Sequence, residues 1–314
     1  MKVKFVNLAG FCVVASIVLG LGVSSVEVVY CDKPALLTNL ERIDYIKGDY
    51  FLDDVRKGPE GRTHIYGLVH ILRDIGARDY MHLVWKRPWD WEDFELMAPI
   101  FQERGIRLWL YLTAPTEGEP EPFGGDYVRW AVECAKLAEK YPIIKGLIID
   151  DFATNVKYKF TPDYCKKMMD EARKITPHLA LLVAVYYGWH NNIKPHVEKG
   201  AIDGVILPYL FPHCNHHETQ YLLPQITEFR KFLDDHTNEG GVFGSVLLVV
   251  AVYATRCSVV PEGDNPTPEY VKKCLTIALN ATNDGLADGV YTYWLPKLNP
   301  AFVEAVTGVY RRYK

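Results

Sequence analysis

Blocks of two kinds alternate along the chain from residue 63 onward. In the longer blocks, such as residues 63–77, apolar residues recur every three or four positions, which predicts helices with one face on a core. The shorter blocks, such as residues 245–254, are apolar almost throughout. Strands covered by helices on both faces have this pattern, so the short blocks predict a buried parallel sheet.

Strand-then-helix units follow one another from residue 79 to the end of the chain. The predicted strands cover residues 79–85, 106–113, 143–150, 179–187, 202–210, 245–254 and 288–295. The predicted helices cover residues 63–77, 91–105, 126–141, 161–176, 193–200, 218–235, 267–284 and 299–313. One more strand, at residues 26–30 or 42–46, would complete an α/β fold with a single (β/α)8 TIM barrel. A doubly wound open sheet is the alternative, but no glycine-rich phosphate loop follows a strand.

The first residues have the pattern of an export signal. Lys2 and Lys4 precede an apolar run from Phe5 to Val23, and small residues follow it. This pattern predicts a signal peptide over residues 1–25 and a catalytic domain over residues 26–314. The run is also long enough for an N-terminal membrane anchor. We therefore expect a secreted or periplasmic protein, or one attached to a membrane only through this segment.

Composition and charge exclude several classes of partner. The net charge is −4, so nothing in the composition suggests nucleic acid as a partner. The cysteines show neither CxxC nor zinc spacing, and the group His213, His216, His217 and Glu218 matches no metal motif. We therefore expect no metal and no cofactor. No G-x-S-x-G sequence supports a serine hydrolase.

The ends of the predicted strands carry the candidate chemistry, because the active site of a TIM barrel lies there. Asp150 and Asp151 are the only carboxylates directly at a strand tip. Other strand ends and the loops after them supply aromatic and hydrogen-bonding side chains, which suit the faces and hydroxyls of sugars. The predicted substrate-binding residues are Tyr111, Asn155, Tyr186, Tyr187, Tyr209, His213, Tyr253 and Trp294. An oligosaccharide or polysaccharide is the expected partner.

Two adjacent carboxylates cannot easily flank a glycosidic bond, as most glycosidases require. They suit a substrate whose own N-acetyl oxygen is the nucleophile. One carboxylate then orients the acetamido N–H, and the other is the general acid and later the base. Repulsion between the two would raise the pKa of one and keep it protonated near neutral pH.

The stretch "GLIIDDFATN" resembles the strand-four signature of O-GlcNAcase-type β-N-acetylglucosaminidases (glycoside hydrolase family 84). It is more loosely similar to the chitinase-like family 18. The family 84 resemblance implies that Asp150 orients the acetamido group and that Asp151 is the general acid/base. Trp294 resembles the tryptophan under the sugar site of family 18. The family 18 pattern DxxDxDxE is not met, since Phe152 stands at the catalytic glutamate position.

The sequence thus predicts an exported glycoside hydrolase, with an N-acetylhexosaminide as one substrate class. Two alternatives remain open. One is a carbohydrate-binding barrel without turnover. The other is a conventional glycosidase that pairs Asp151 with a loop acid such as Glu117 or Asp264, and that accepts sugars lacking an acetamido group.

Overall fold

The computed structural model describes residues 46–50, 61–87, 89–210, 215–237 and 245–313. The strands are β1 (Ile46–Tyr50), β2 (Asp79–Val84), β3 (Arg107–Leu112), β4 (Ile144–Ile149), β5 (Ala180–Ala184), β6 (Gly204–Pro208), β7 (Leu247–Tyr253) and β8 (Gly289–Tyr293). The helices are α1 (Ile65–Ile75), α2 (Asp90–Arg104), α3 (Tyr127–Lys140), α4 (Phe152–Asn155), α5 (Pro162–Arg173), α6 (Lys194–Glu198), α7 (Leu222–His236), α8 (Pro268–Asn283) and α9 (Pro300–Tyr310). Short 3-10 turns cover Pro115–Glu117 and His190–Ile193.

Strands β2 to β8 form one curled parallel sheet in chain order, and helices alternate with them. The predicted α/β class and TIM-type architecture are therefore confirmed. Strand β1 pairs in parallel with both β2 and β8, so it joins the two edges of the sheet. It begins at the last residue of the predicted strand 42–46, and the rival strand at 26–30 lies outside the described residues. The predicted helix over 193–200 is a 3-10 turn followed by the short α6.

Side chains alternate between two buried layers, as the pleat of a strand requires. Along β3, Leu108 and Leu110 pack against the helices, whereas Trp109 and Tyr111 pack inside the curled sheet. All four are at most 2% exposed. The continuous apolar pattern of these strands therefore reflects two separate cores, one on each face of the sheet.

Two helices, α5 and α8, begin with the same N-cap arrangement. Thr161 and Thr267 are N-caps whose hydroxyls accept the backbone N–H of the third residue beyond, and a proline follows each. The hydroxyl satisfies a backbone donor that the first turn leaves open, and proline has no N–H to lose there. The helix starts predicted from the two Thr-Pro pairs are confirmed.

Three buried aspartates, Asp79, Asp203 and Asp288, tie the amino ends of the strands together. Arg107 donates from Nε and Nη2 to the two carboxylate oxygens of Asp79, at 2.9 and 2.6 Å. Asp203 accepts from Arg173 and from the N–H of Leu181 at 2.7 Å, and Asp288 lies in the same way against Arg230 and Leu248. Each carboxylate thus has a guanidinium and a further N–H donor. This satisfies the hydrogen-bonding demand that burial imposes.

Among the described residues, four cysteines are free thiols: Cys134, Cys165, Cys257 and Cys274. The first, second and fourth are buried in helices, as the sequence indicated.

Among the described residues, no helix combines the length and the hydrophobicity that a membrane span needs. The predicted signal segment, residues 1–25, lies outside the described part of the chain.

Replacing Asp79 with alanine tests the role of these aspartates. The substitution removes the carboxylate that faces the half-buried Arg107, and it removes the acceptor of the Trp109 indole N–H, which lies 3.0 Å from Asp79. We expect the free energy of unfolding to fall by about 3 to 5 kcal/mol in urea titrations. Asp235→Ala, which removes an exposed ion pair with Lys231, is the matched control and should change it by less than about 1 kcal/mol. Equal losses in both variants would contradict the proposed role.

Candidate active site

Three carboxyl groups meet where β3 and β4 end. Asp150 and Asp151 follow β4 directly, and Glu117 is the last residue of the 3-10 turn after β3. All three side chains are half-buried. The charges of Asp150 and Asp151 both act on Glu117, so the three groups form one electrostatic cluster, called here the acid cluster.

Asp150 enters the cluster because the alternation of β4 continues past its end. Ile148 faces the inside of the curled sheet, and Asp150 is two residues further on. Its Oδ1 accepts the Tyr111 hydroxyl at 3.0 Å and the backbone N–H of Asp151 at 3.0 Å. Two donors on one oxygen fix the orientation of this carboxylate. Tyr111 was predicted to bind substrate, and the structure shows that it holds Asp150.

Asp151 breaks the alternation of the strand. Its backbone lies in the left-handed region, with φ 40° and ψ 35°, which is uncommon for residues other than glycine. The chain turns there into α4, and Phe152 goes to the helical layer, where it stacks on Phe160 with ring centroids 5.2 Å apart. Burial raises the pKa of Asp151. Among the described residues, no side chain or backbone group forms a hydrogen bond to its carboxylate, so this group is available to a ligand.

The turn that carries Glu117 is fixed by hydrogen bonds to its backbone and side chains. The Trp85 indole N–H donates to Glu117 O at 3.1 Å, and the Thr113 hydroxyl donates to Gly118 O at 2.9 Å. Asn155 donates from Nδ2 to Thr116 Oγ1 at 2.9 Å. Glu117 is therefore placed by a rigid turn, although it lies outside the regular strands.

The acidity of Glu117 is strongly perturbed. Burial, followed by the charges of Asp150 and Asp151, raises its pKa from 4.5 to about 8, and the charge of Lys86 opposes the shift. Its Oε2 is buried and has no hydrogen-bond partner among the described residues. A neutral carboxyl group resists burial less than a charged one, so the proton stays on Glu117 near neutral pH. Such a group can donate a proton to a bound substrate.

Lys86 is the cation that faces this cluster. Its Nζ lies 4.9 Å from the centre of the Trp85 ring. A Cβ at Gly118 would come within 2.5 Å of Lys86 Cε, and Gly118 has φ +106°, so only glycine suits this position. Glycine thus lets the lysine stem pass close to the Glu117 turn.

Three tyrosines at the ends of strands lie beside the acid cluster: Tyr186 after β5, Tyr253 at the end of β7 and Tyr293 at the end of β8. We call them the tyrosine wall. The hydroxyls of Tyr186 and Tyr253 lie 3.2 Å apart, and the rings of Tyr253 and Tyr293 have centroids 4.4 Å apart. Burial, followed by the charge of Asp150, raises the pKa of Tyr186 and of Tyr293. The structure therefore places Tyr186, Tyr253 and Tyr293 together, and the roles of Tyr186 and Tyr253 in substrate binding stay predictions.

Three residues predicted to bind substrate make other contacts in the structure. Tyr187 faces the helices and donates to Glu228 of α7. Tyr209 is 4% exposed in the helical core and donates to Glu218 O at 2.8 Å. Asn155 is 1% exposed, and its amide holds Thr116 and Asp151 O. These three side chains are occupied with packing or with fixing loops, and their roles in substrate binding stay predictions.

The remaining predicted contacts are Trp294 and His213. Trp294 follows β8, is half-buried, and has a left-handed backbone with φ 54°. Its carbonyl accepts the Thr255 hydroxyl at 2.7 Å, which ties the loops after β7 and β8 together. Its role in sugar binding stays a prediction. His213 lies outside the described residues.

The two loop acids considered from the sequence differ in position. Glu117 joins the acid cluster, whereas Asp264 accepts the His216 N–H at 3.1 Å and contacts His217 at 3.3 Å. The Nε2 of His216 in turn accepts the Cys257 N–H at 3.1 Å, so these residues connect loops. No group of three or more potential metal ligands occurs in the described ranges.

Comparison with known proteins gives a match in fold alone. No protein-family model matches the sequence, and no curated protein matches it. A GH53 (glycoside hydrolase family 53) catalytic domain from Ignisphaera aggregans has a TM-score of 0.54 at 12% identity, over 83% of this chain and 88% of that chain.

Two further glycosidases are similar in the same way. A GH18 chitinase from Pseudoalteromonas aurantia has a TM-score of 0.52 at 10% identity, over 84% of this chain and 99% of that chain. An α-L-arabinofuranosidase from Thermotoga maritima has a TM-score of 0.56 at 11% identity, over 85% of this chain and 70% of that chain. Structural neighbours of this chain are thus glycoside hydrolases with a TIM-type fold. Because fold does not imply function, the activity must be argued from the acid cluster.

The acidity of Glu117 can be measured directly. In protein labelled with ¹³C at glutamate carboxyl groups, the signal lost in Glu117→Gln identifies this residue. We expect it to titrate at about 8 in the wild type, because burial and two neighbouring charges disfavour the anion. Asp151→Asn removes one of these charges and should lower the pKa. Titration of the wild-type group near 4.5, or an unchanged value in Asp151→Asn, would contradict this electrostatic account.

Proposed function

We propose that the chain is a (β/α)8 glycoside hydrolase acting on an oligosaccharide or polysaccharide, with Glu117 as its general acid. The observation that carries the proposal is a half-buried Glu117, with a raised pKa, beside two aspartates at the carboxyl ends of the strands. Glycoside hydrolysis needs one protonated and one ionised carboxyl group near the scissile bond. The acid cluster supplies both from residues whose environments differ.

The bond-breaking step follows from these roles. The Glu117 proton passes to the glycosidic oxygen as the bond from that oxygen to the anomeric carbon breaks. The positive charge that develops on the sugar ring is stabilised by the carboxylates of Asp150 and Asp151. Asp150 is the better fixed of the two, because it accepts two hydrogen bonds on one oxygen. Asp151 is suited to act on the attacking group, since its carboxylate has no hydrogen-bond partner among the described residues.

Two attacking groups are compatible with this arrangement. In the conventional route Asp151 forms the new bond itself or activates water, and Glu117 completes the acid pair. In the substrate-assisted route the oxygen of a 2-acetamido group attacks, and one aspartate orients its N–H. The adjacency of Asp150 and Asp151 supports the second route, for which the family 84 resemblance implies Asp151, rather than Glu117, as the general acid/base. The raised pKa of Glu117 supports the first.

The tyrosine wall suits the rest of a sugar ring. Tyr186, Tyr253 and Tyr293 offer aromatic faces and hydroxyls beside the acid cluster. Aromatic faces pack on the C–H faces of pyranose rings, and hydroxyls replace water at the sugar hydroxyls. Trp294 extends this surface in the proposal. Export through residues 1–25 would bring the enzyme to extracellular or periplasmic glycan.

The role of Glu117 as proton donor predicts a dependence on the leaving group. Glu117→Gln should lower kcat/KM by about 10² to 10⁴-fold on oligosaccharides, whose leaving oxygen needs a proton. With nitrophenyl glycosides, which leave unprotonated, the loss should be much smaller. Glu119→Gln, in the same loop, is the matched control and should retain activity. Equal losses on both substrate types would remove Glu117 from the role of acid.

The attacking group is tested with aryl glycosides that differ only at C2. If the acetamido oxygen attacks, an N-acetylglucosaminide is cleaved and the matching glucoside is not, and both Asp150→Asn and Asp151→Asn lose activity. Turnover of sugars without the acetamido group would establish the conventional route. Sugar binding without turnover on any substrate of a broad panel would contradict the enzyme and favour a binding barrel.

A further inference from the structure

Asp90 is a buried carboxylate outside the acid cluster, and the bond-breaking step does not use it. It is the first residue of α2 and is 1% exposed. Burial raises its pKa to about 6, and hydrogen bonding from the backbone of Trp85 and Arg87 acts in the opposite direction. A buried carboxylate needs donors that offset its desolvation, so the identity of those donors shows what the side chain holds.

The donors to Asp90 belong to the loop after β2. Oδ2 of Asp90 accepts the backbone N–H of Trp85 at 3.1 Å, and the backbone N–H of Asp90 donates to Arg87 O at 3.0 Å. Both partners precede α2 in the chain. Asp90 therefore fastens the loop after β2 to the start of α2.

Asp90 is itself held from the strand side. His82 of β2 is fully buried, and its Nε2 donates to Asp90 O at 3.0 Å, since a carbonyl oxygen can only accept. Burial lowers the pKa of His82 to about 4, so the ring stays neutral near pH 7. The same ring lies 6.2 Å from that of Phe94, one turn further along α2. The position of Asp90 is thus fixed by β2 as well as by its own helix.

Trp85 connects Asp90 to the turn that carries Glu117. Its indole N–H donates to Glu117 O at 3.1 Å, and its carbonyl accepts the N–H of Glu121 at 2.8 Å. These two contacts lie at the two ends of residues 117–121. The Trp85 ring also packs against the inner layer of the sheet. One residue thus joins Asp90, the inner core and the loop after β3.

The Glu117 side chain depends on this support. Its Oε2 is buried and forms no hydrogen bond within the described part of the chain. The place of the carboxyl group beside Asp150 and Asp151 is therefore set by the backbone of the turn. A proton donor must stay within hydrogen-bond reach of the leaving oxygen, and contacts behind it decide whether it does.

We propose that Asp90 is a positioning residue of the candidate active site, which holds Glu117 beside Asp150 and Asp151 through Trp85. The chain of contacts runs from the Asp90 carboxylate to the Trp85 N–H and from the Trp85 indole to Glu117 O, each at 3.1 Å. Without the carboxylate, the Trp85 N–H loses this acceptor, and the loop after β2 is free to shift. The inference rests on the proposed role of Glu117 as acid, but the surroundings of Glu117 can be measured without turnover.

The ¹³C titration of the Glu117 carboxyl group tests the proposal in the full chain. We expect its pKa to fall from about 8 towards 4.5 in Asp90→Ala, because Glu117 becomes less buried and lies farther from the two aspartates. Asp90→Asn keeps one oxygen acceptor for the Trp85 N–H and should lower the pKa less. Trp85→Phe keeps an aromatic ring but removes the donor to Glu117 O, so it should also lower the pKa. This last variant decides the question if Asp90→Ala does not fold.

Asp93→Asn is the matched control. Asp93 is 3% exposed and lies in the first turn of the same helix, but it holds Arg62 and the N–H of Thr63, at 2.6 and 2.9 Å. The variant loses a similarly buried carboxylate and should leave the pKa of Glu117 at its wild-type value. An equal fall in Asp93→Asn would overturn the proposal, because a general loss of stability would then explain the effect. An unchanged pKa in both Asp90→Ala and Trp85→Phe would overturn it as well.

Turnover separates this inference from the proposed function. Asp90→Ala should lower kcat on oligosaccharides by about tenfold or more with little change in KM, and should have less effect on nitrophenyl glycosides, which leave unprotonated. A lowered pKa of Glu117 in a chain without turnover would support the role of Asp90 and contradict the glycosidase. Equal losses of kcat on both substrate types, with the pKa of Glu117 unchanged, would overturn the role of Asp90 and leave the glycosidase intact.

Discussion

Parallel pairing of the strands is the constraint on which the rest of the structure depends. It brings the carboxyl ends of the strands to one edge, so that residues as distant in sequence as Tyr111 and Tyr293 reach the same opening. Because only every second residue of a strand faces inward, the pleat determines which side chains line this opening. Asp150 follows Ile148 in this way, and Tyr186 follows Ala184. The candidate site is therefore a direct product of strand geometry.

Carboxyl groups are stabilised in different ways at the two ends of the sheet, by ion pairing at one end and by protonation at the other. At the amino ends, Asp79, Asp203 and Asp288 each have a guanidinium partner, and the ions are stable as pairs. In the acid cluster, the charges of Asp150 and Asp151 raise the pKa of Glu117, and the charge of Lys86 offsets only part of that shift. Because unpaired charge is costly in a half-buried site, a proton remains on Glu117 instead. The same physical cost thus yields structural ion pairs at one end and a proton donor at the other.

Sequence patterns could predict the elements and the Asp pair, since both depend on local periodicity. The inward–outward alternation along each strand also distinguishes the tyrosines that face the site from those that face the helices. Tyr186 shares its face with Ala184, whereas Tyr187 and Tyr209 lie on the helical face. Glu117 could be named only as one loop acid among several. Its position depends on hydrogen bonds from Trp85, Thr113 and Asn155, which join segments far apart in sequence. No local pattern carries that information.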